Sequence, residues 1–164
     1  ADWPRIEEVL GSFRPNAGAE RTWAVFGLEA RLPAEMELRE LNVVPAGQVL
    51  GFENKRGESV TLHRYGMMPL ILGDGDMASF FAQVKGRRFL LRREGAFRKD
   101  GEHEGVTLVY ETRGKGGFDA LLARTWLGRV WVWRRDDLRR LCCVDHHAPE
   151  KNMIADLVER VDCR

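Results

Sequence analysis

The sequence predicts an α+β domain built on a mainly antiparallel sheet of about seven to nine strands, with helices packed on it as in an αβα sandwich. Many short segments alternate apolar and polar residues, glycine-containing polar turns join several of them, and few segments show helical spacing. A length of 164 residues fits one domain, residues 1–164. Residues 1–21 are expected to form an N-terminal extension of one helix and a loop.

The first half of the chain predicts one short helix, four strands and a second helix. Asp76 is well placed as the N-cap of that second helix, because its side chain can accept hydrogen bonds from unpaired amides of the first turn. The predicted elements are a helix over Trp3–Leu10, strands over Thr22–Leu32, Met36–Val44, Gln48–Asn54 and Ser59–Tyr65, and a helix over Met77–Lys85.

The second half predicts further strands and a closing helix. Strand-like segments are Arg87–Arg93, Val106–Thr112 and Leu121–Trp126, the last of which is expected to turn at Gly128. Pro149 is expected to begin a helix that covers a sheet. The apolar stripe of that helix comprises Met153, Ile154, Leu157, Val158 and Val161.

One strand near residue 130 carries both tryptophans and arginines on the same side. Because side chains alternate along a strand, Arg129, Trp131, Trp133 and Arg135 fall on one face, opposite Val130, Val132 and Arg134. Tryptophans on an open sheet could stack bases or a planar ligand, while the arginines bind phosphates or carboxylates. The alternative is that both tryptophans belong to the core. Which face of the sheet is covered decides between the two interpretations.

The segment Cys-Cys-Val-Asp-His-His at residues 142–147 is where candidate metal ligands cluster. In a strand, Cys143, Asp145 and His147 share a face, so thiolate, carboxylate and imidazole could together bind zinc. His103 could supply a fourth ligand, or act as a base toward a nucleophilic Cys143. The spacing is not that of a zinc finger, and the alternative is a strand that ends in a solvated loop. No cofactor is expected.

The three cysteines, Cys142, Cys143 and Cys163, do not have the spacing of a disulfide framework. Cys142 and Cys143 are adjacent in a strand and point to opposite faces, so they are not expected to bond to each other. Either could meet Cys163 if the final helix packs back on the strand. The alternative is three reduced thiols in a cytosolic protein.

Charge and hydropathy exclude few functions. The net charge is +1, but residues 1–80 hold 8 Lys and Arg against 12 Asp and Glu, a net of −4, and the remainder is basic. Such a split can mark an anionic partner, although one folded domain neutralises it equally well. No apolar run approaches the ~20 residues needed to cross a bilayer. A cytoplasmic location is expected, and a removed N-terminal targeting segment stays open because the sequence begins without Met.

The order of elements resembles the αβα sandwich of the PsbP-like superfamily, which includes extrinsic subunits of photosystem II and a Ran-binding nuclear transport factor. The resemblance lies in TWAVFGLEARLP, QVLGFENKRGESVTLHRY, DMASFFAQVKG and the closing IADLVERVDC. It implies a non-enzymatic binding or assembly domain, and it transfers no functional residue.

The sequence therefore favours a non-enzymatic protein-binding or assembly module whose partner is another protein. A nucleic-acid or anionic-ligand binder using Arg129, Trp131, Trp133 and Arg135 is the first alternative. A metal- or thiol-dependent enzyme using Cys143, Asp145 and His147 is the second.

Overall fold

The computed structural model describes residues 18–73, 75–85, 92–113 and 125–164. In these residues the chain forms ten β-strands, two α-helices and two short 3-10 helices. The strands are β1 (Glu20–Val25), β2 (Leu28–Pro33), β3 (Glu37–Val44), β4 (Gly47–Glu53), β5 (Ser59–Tyr65), β6 (Arg92–Lys99), β7 (His103–Arg113), β8 (Thr125–Arg135), β9 (Arg140–Pro149) and β10 (Val161–Cys163). The α-helices are α1 (Met68–Leu72) and α2 (Met77–Lys85), and the 3-10 helices are Glu150–Asn152 and Leu157–Arg160.

The strands form two antiparallel sheets. Seven strands make a large sheet in the order β3-β4-β5-β9-β8-β7-β6, and three make a small sheet in the order β1-β2-β10. The predicted antiparallel character is confirmed. The large sheet has seven strands, within the predicted seven to nine, but the separate small sheet was not predicted, because β1, β2 and β10 pair with one another and not with the rest.

Each face of the large sheet has its own cover. Val130 and Val132 point to one side, the helical face, where they pack with the buried Phe81 of α2. Trp131 and Trp133 point to the other side, the small-sheet face. There they pack in a core that includes the small-sheet residues Leu28, Ala30, Leu32, Val161 and Cys163. The described residues are thus layered as helices, large sheet and small sheet, whereas an αβα sandwich would carry helices on both faces.

The predicted strand Thr22–Leu32 is a hairpin made of β1 and β2. Phe26 and Gly27 have φ angles of 48° and 80°, and Val25 pairs with Leu28 across the turn. Two consecutive positive φ angles make the two-residue turn that suits the twist of paired strands. The single-strand prediction was wrong because Phe26 gives no turn signal. Gly27 is needed on packing grounds as well, since a Cβ there would lie 2.5 Å from the main-chain oxygen of Arg164.

The hairpin predicted between residues 48 and 65 is confirmed as β4 and β5. The buried side chain of Asn54 organises its turn. The Asn54 Oδ1 accepts hydrogen bonds from the backbone N–H groups of Arg56 (2.9 Å) and Glu58 (3.1 Å), and Nδ2 donates to Glu58 Oε2 at 2.7 Å. A side chain that closes its own turn in this way fixes the register of the strands that follow.

The helix over Met77–Lys85 is also confirmed, together with its cap. The backbone N–H of Ser79 donates to Asp76 Oδ1 at 2.9 Å, as expected for an N-cap. These hydrogen bonds to the carboxylate lower the pKa of Asp76. The short α1 was not among the predicted helices.

Strand β8 runs through Gly128 without a turn, so the predicted break there was wrong. A Cβ at Gly128 would lie 2.0 Å from Cζ of Tyr110, its cross-strand partner. The glycine is therefore needed for the close approach of the Tyr110 ring, which is a common reason for glycine inside a strand. The predicted residues 121–124 of that short strand lie outside the described part of the chain.

The predicted helix after Pro149 is absent from the described residues. Two 3-10 helices occupy its place, and β10 then pairs with β2, where Val161 faces Ala30 and Cys163 faces Leu28. Leu157, Val158 and Val161 are buried as the apolar stripe requires, but in a different backbone conformation. Pairing with β2 and a disulfide between Cys142 and Cys163 hold β10, the end of this stretch, in an extended conformation.

The disulfide links the large sheet to the small sheet. The sulfur atoms of Cys142 and Cys163 are 2.03 Å apart, and Cys143 on the opposite face is a buried free thiol. The expectation that Cys142 and Cys143 do not bond to each other is confirmed, and that of three reduced thiols was wrong. Cys163 lies on strand β10 when it bonds to Cys142, whereas a helix was expected there.

Two further expectations concern residues outside the described part. The helix over Trp3–Leu10 lies within residues 1–17, and the first residues of the strand over Arg87–Arg93 lie within 86–91. Among the helices of the described residues, none combines the length and the apolar composition needed to cross a membrane.

Removing the disulfide should destabilise the fold. Cys142 and Cys163 are 21 positions apart, and closing a loop of this size restricts the unfolded chain by about 3 kcal/mol. We expect Cys163→Ser to lower the free energy of urea unfolding by about that amount, and a reductant to have no further effect on the variant. Equal unfolding midpoints for the oxidised protein and for the variant would contradict this assignment.

Candidate functional site

The tryptophans of the predicted Arg/Trp face are core residues. Trp131 is 5% exposed and Trp133 is 1% exposed, because the small sheet covers them. A base or planar ligand needs an open ring face on which to stack. The proposed stacking platform at these two residues is therefore corrected to a buried layer between the two sheets.

The arginines of the same face are engaged within the protein. Arg129 Nη2 donates to Glu94 Oε1 at 3.0 Å. Arg135 donates to both carboxylate oxygens of Asp137 and, through Nη1, to the main-chain oxygen of Cys163 at 2.9 Å. Arg135 thereby helps hold β10 against β9. The structure brings the four predicted residues onto one face, as the alternation requires, but gives them internal partners.

The predicted ligands Cys143, Asp145 and His147 do share one face of β9. They point to the helical face, where their cross-strand partners in β8 are Val132, Val130 and Gly128 respectively. His103 is the first residue of β7, where it pairs with Lys99. Gly105, two residues later, pairs with Trp133, so His103 points to the small-sheet face as Trp133 does. It therefore cannot join the other three.

Asp145 is the centre of a buried polar cluster. The hydroxyl of Tyr110 donates to Asp145 Oδ1 at 2.9 Å, and the ammonium of Lys85 forms an ion pair with Asp145 Oδ2. Lys85 Nζ also donates to the Tyr110 hydroxyl at 3.2 Å. The Asp145 side chain is only 3% exposed, so its charge is compensated by these contacts and not by water.

Three elements meet at this cluster. Lys85 is the last residue of α2, Tyr110 lies in β7 and Asp145 lies in β9. The ring of His147 stacks on that of Tyr110, with their centroids 6.1 Å apart. Sequence reasoning did not identify Lys85 or Tyr110, because the pattern of one strand does not show which distant residues will face it.

Burial keeps two titratable groups of this face, Cys143 and Tyr110, protonated. Burial raises the pKa of the Cys143 thiol well above its usual value, so the thiolate needed for nucleophilic attack or zinc binding is disfavoured. Burial, together with the nearby Asp145, also raises the pKa of Tyr110, which keeps the phenol protonated as a hydrogen-bond donor. In the part of the chain that the structure describes, no three His, Cys, Asp or Glu side chains form a group that could hold a metal ion. The described residues thus give the metal and thiol hypothesis no support.

Two histidines, the buried His146 and the partly buried His63, have lowered pKa values. Burial lowers the pKa of His63 to about 4, although Asp145 opposes the shift, and the Nδ1 of His63 lies 3.1 Å from the Tyr65 hydroxyl. Burial likewise lowers the pKa of His146 to about 4. The Nδ1 of His146 accepts a hydrogen bond from the backbone N–H of Ile154 at 3.4 Å, which requires a neutral ring.

The large sheet exposes chemically different residues at its two edges. Edge strand β3 carries apolar side chains in solvent, with Leu41, Val43 and Val44 48%, 45% and 51% exposed. Edge strand β6, at the opposite end, carries the exposed residues Arg92, Arg93 and Arg98. Such edges present unpaired backbone groups and are natural places for another chain to add.

Comparison with known proteins finds a distant structural likeness only. No protein-family model matches this sequence, and no curated protein matches it significantly. The chain is similar to the crystal structure of the Saccharomyces cerevisiae Ran-binding protein Mog1p, with a TM-score of 0.49 and 13% identity over 84% of this chain and 78% of that one. It is also similar to the structure of a point mutant of the protein Mog1, with a TM-score of 0.48 and 12% identity over 84% and 79% of the two chains. Likeness at this level carries no conclusion about what this chain binds.

Substitutions in the Asp145 cluster should lower the free energy of unfolding, and the loss should be larger when a buried charge is left without its partner. We expect Tyr110→Phe to lower the free energy of unfolding by about 1–2 kcal/mol, because Asp145 loses a buried donor. Asp145→Asn should cost more, about 3 kcal/mol, because it removes the carboxylate that compensates Lys85. Urea unfolding measures both. The control is Asp137→Asn, which breaks an exposed ion pair with Arg135 and should change the unfolding midpoint little. Equal effects of Asp145→Asn and Asp137→Asn would refute the buried pairing of Asp145 with Lys85.

Stability should also fall as the solution is acidified. His63 and His146 have folded-state pKa values of about 4, below the unfolded value of 6.5, so the unfolded chain binds protons first as the pH falls. The stabilisation is complete above pH 6.5 and is lost toward pH 4, with a slope of up to about 1.4 kcal/mol per pH unit for each histidine. Urea unfolding across this range measures the slope, and an NMR titration of the two imidazole rings measures the pKa values. A flat profile, or rings that titrate near 6.5, would rule out this burial.

Proposed function

We propose that this chain is a non-enzymatic protein-binding module that docks an extended segment of another protein along strand β3. The observation that carries the proposal is the exposed apolar end of β3, where Leu41, Val43 and Val44 are each about half exposed. Large apolar side chains together on one edge strand are costly in water unless a partner covers them.

The position of β3 supports strand addition as the mode of binding. It is the terminal strand of the large sheet and, among the described residues, pairs only with β4, so its other side offers backbone N–H and C=O groups. A partner strand can satisfy these groups and gain specificity from alternating side chains.

The two halves of β3 differ in their protection. A register irregularity between Leu38 and Glu40, and an ion pair between Arg39 and Glu37 at 2.7 Å, interrupt and charge the first half. These are features that discourage edge-to-edge pairing. Among the described contacts, the second half of β3 has no register irregularity and no ion pair. We therefore place the docking segment at residues 41–44.

The side chains of this segment define the partner's chemistry. Leu41 and Val43 share the face of Leu50, their neighbour in the sheet, while Val44 points to the other face. A partner strand with apolar residues on both faces would bury all three. An extended, mainly apolar segment of another protein is therefore the expected occupant.

The state of the buried groups supports binding over catalysis. A protonated Cys143, histidines that titrate far below neutral pH and a paired Asp145 are suited to holding the fold, not to proton transfer near pH 7. Membership of the PsbP-like superfamily, with its implied assembly role, stays a proposal that rests on the resemblance of the sequence, since two 3-10 helices and β10 replace the expected closing helix. The Cys142–Cys163 disulfide favours an oxidising compartment over the cytoplasmic location expected from the sequence.

The docking edge can be tested with two variants matched in residue type and exposure. Val43 is 45% exposed on β3, and Val84 is 42% exposed on α2. We expect Val43→Lys to abolish cross-linking of a partner to a photoreactive residue at position 42, because a buried lysine in the interface would be uncompensated. Val84→Lys should leave the cross-link intact.

The measurement is mass spectrometry of cross-linked proteins and peptides from native extract, with the urea midpoint of each variant as the folding control. A segment cross-linked in the wild type and in Val84→Lys but lost in Val43→Lys supports docking at β3. The same segments recovered from both variants would overturn it, as would turnover of a small-molecule substrate by the purified protein that persists in Val43→Lys.

A further inference from the structure

We propose that the outer edge of β6 is a second docking surface, and that it takes an extended acidic segment of a partner protein by strand addition. This surface lies at the opposite end of the large sheet from β3. The proposal is independent of docking at β3, because it rests on a different strand and a different chemistry.

The edge of β6 is accessible on both of its faces. Arg92, Arg93, Ala96 and Arg98 are all exposed. A Cβ built on Gly95 would have no atom within 4 Å, so an added chain has room beside the middle of the strand. Among the described residues, β7 is the one strand that pairs with β6. The register of β6 is irregular between Arg93 and Gly95, so the outer backbone groups are placed to bind another strand on either side of that irregularity. The arginine charges discourage pairing with an apolar or basic strand and leave an acidic strand as the occupant.

Two carboxylates of β6 and β7 are already engaged by β8, and a third, Asp76, has its pKa lowered by hydrogen bonds from Ser79 and, to a smaller extent, by the charge of Arg93. Glu94 forms an ion pair with Arg129 at 3.0 Å, and Glu104 forms one with Arg134 at 2.8 Å. The described residues provide no ion pair within 4 Å for Arg92, Arg93 or Arg98. Within the described part of the chain, the edge therefore carries three guanidinium groups that form no ion pair within 4 Å, and these favour carboxylates on the incoming chain.

The register places these arginines on both sides of the strand. Arg93 pairs with Leu108 and Arg98 with Glu104, so both point to the helical face. Arg92 pairs with Val109 and points to the small-sheet face. Arg93 and Arg98 are five positions apart and share this face because of the irregularity between Arg93 and Gly95. An added strand that follows the irregularity and alternates acidic residues with small polar ones would present carboxylates to both.

A protein segment fits this edge better than a nucleic acid does. Single-stranded nucleic acid is held by aromatic side chains on which its bases stack. Phe97, the sole aromatic residue of β6, packs over Gly105, where a Cβ would lie 2.5 Å from its ring. The edge thus offers cations and backbone hydrogen bonds, which is the combination that an acidic peptide strand can use in full.

The test uses the full chain and a ten-residue peptide of alternating Glu and Thr with blocked ends, followed by fluorescence anisotropy. We expect saturable binding that weakens as salt rises, and at least a tenfold loss in the Arg93→Glu/Arg98→Glu double variant. The matched control is Arg31→Glu/Arg56→Glu, which makes the same charge change at exposed arginines of β2 and of the β4–β5 turn. That control should retain binding to within about twofold.

Three further probes separate strand addition from general attraction. The same peptide N-methylated at its two central residues keeps its charge but cannot pair on either edge, so it should bind at least tenfold more weakly. A Lys/Thr peptide should not bind. A single-stranded DNA ten-mer should bind more weakly than the Glu/Thr peptide at equal salt.

Equal binding of the methylated and unmethylated peptides would overturn strand addition, and equal losses in the two double variants would overturn the β6 location. DNA that binds as tightly as the peptide would overturn the choice of a protein partner. None of these outcomes depends on Val43, so failure here and failure of docking at β3 are distinguishable.

Discussion

Strand β9 is buried on both faces, and the rest of the molecule is arranged around that constraint. Every residue from Leu141 to Ala148 is buried, because β5 and β8 flank the strand while the helices and the small sheet cover its two faces. A polar group in such a strand must find its partner inside the protein. Asp145 finds Tyr110 and Lys85, His146 accepts from the backbone of Ile154, and Cys142 is bonded to Cys163.

These contacts tie β9 to the layers on both sides. The Asp145 cluster draws the end of α2 and the strand β7 toward the helical face. The disulfide, and the hydrogen bond from Arg135 to the Cys163 carbonyl, hold β10 and hence the small sheet on the other face. Residues that look reactive in the sequence are therefore used to fix the three layers relative to one another, and burial leaves them poorly suited to chemistry. The two docking surfaces that we propose lie instead at the edges of the large sheet, one apolar and one cationic.

The patterns that predicted correctly were local ones. Strict alternation placed Trp131 and Trp133 opposite Val130 and Val132, and Asp76 was recognised as a helix cap from the residues that follow it. Errors arose where a long-range contact outweighed the local pattern. Phe26 adopts a positive φ to close a hairpin, and Gly128 makes room for a ring from the next strand. The end of the predicted last helix, Val161–Cys163, is instead a strand, because it pairs with β2 and Cys163 is bonded to Cys142.

For the candidate site, alternation along one strand was enough to predict that Cys143, Asp145 and His147 share a face and that Cys142 lies on the other, because alternation depends only on the backbone. The sequence by itself likewise determined the antiparallel character of the fold. Only the tertiary structure decided that Lys85 and Tyr110 meet Asp145, that Cys142 is the partner of Cys163, and that the tryptophans lie beneath the small sheet. It also decided which strands form the edges. Those outcomes depend on contacts between residues far apart in the chain, whose free energy is set by the packing of whole layers and not by any one segment.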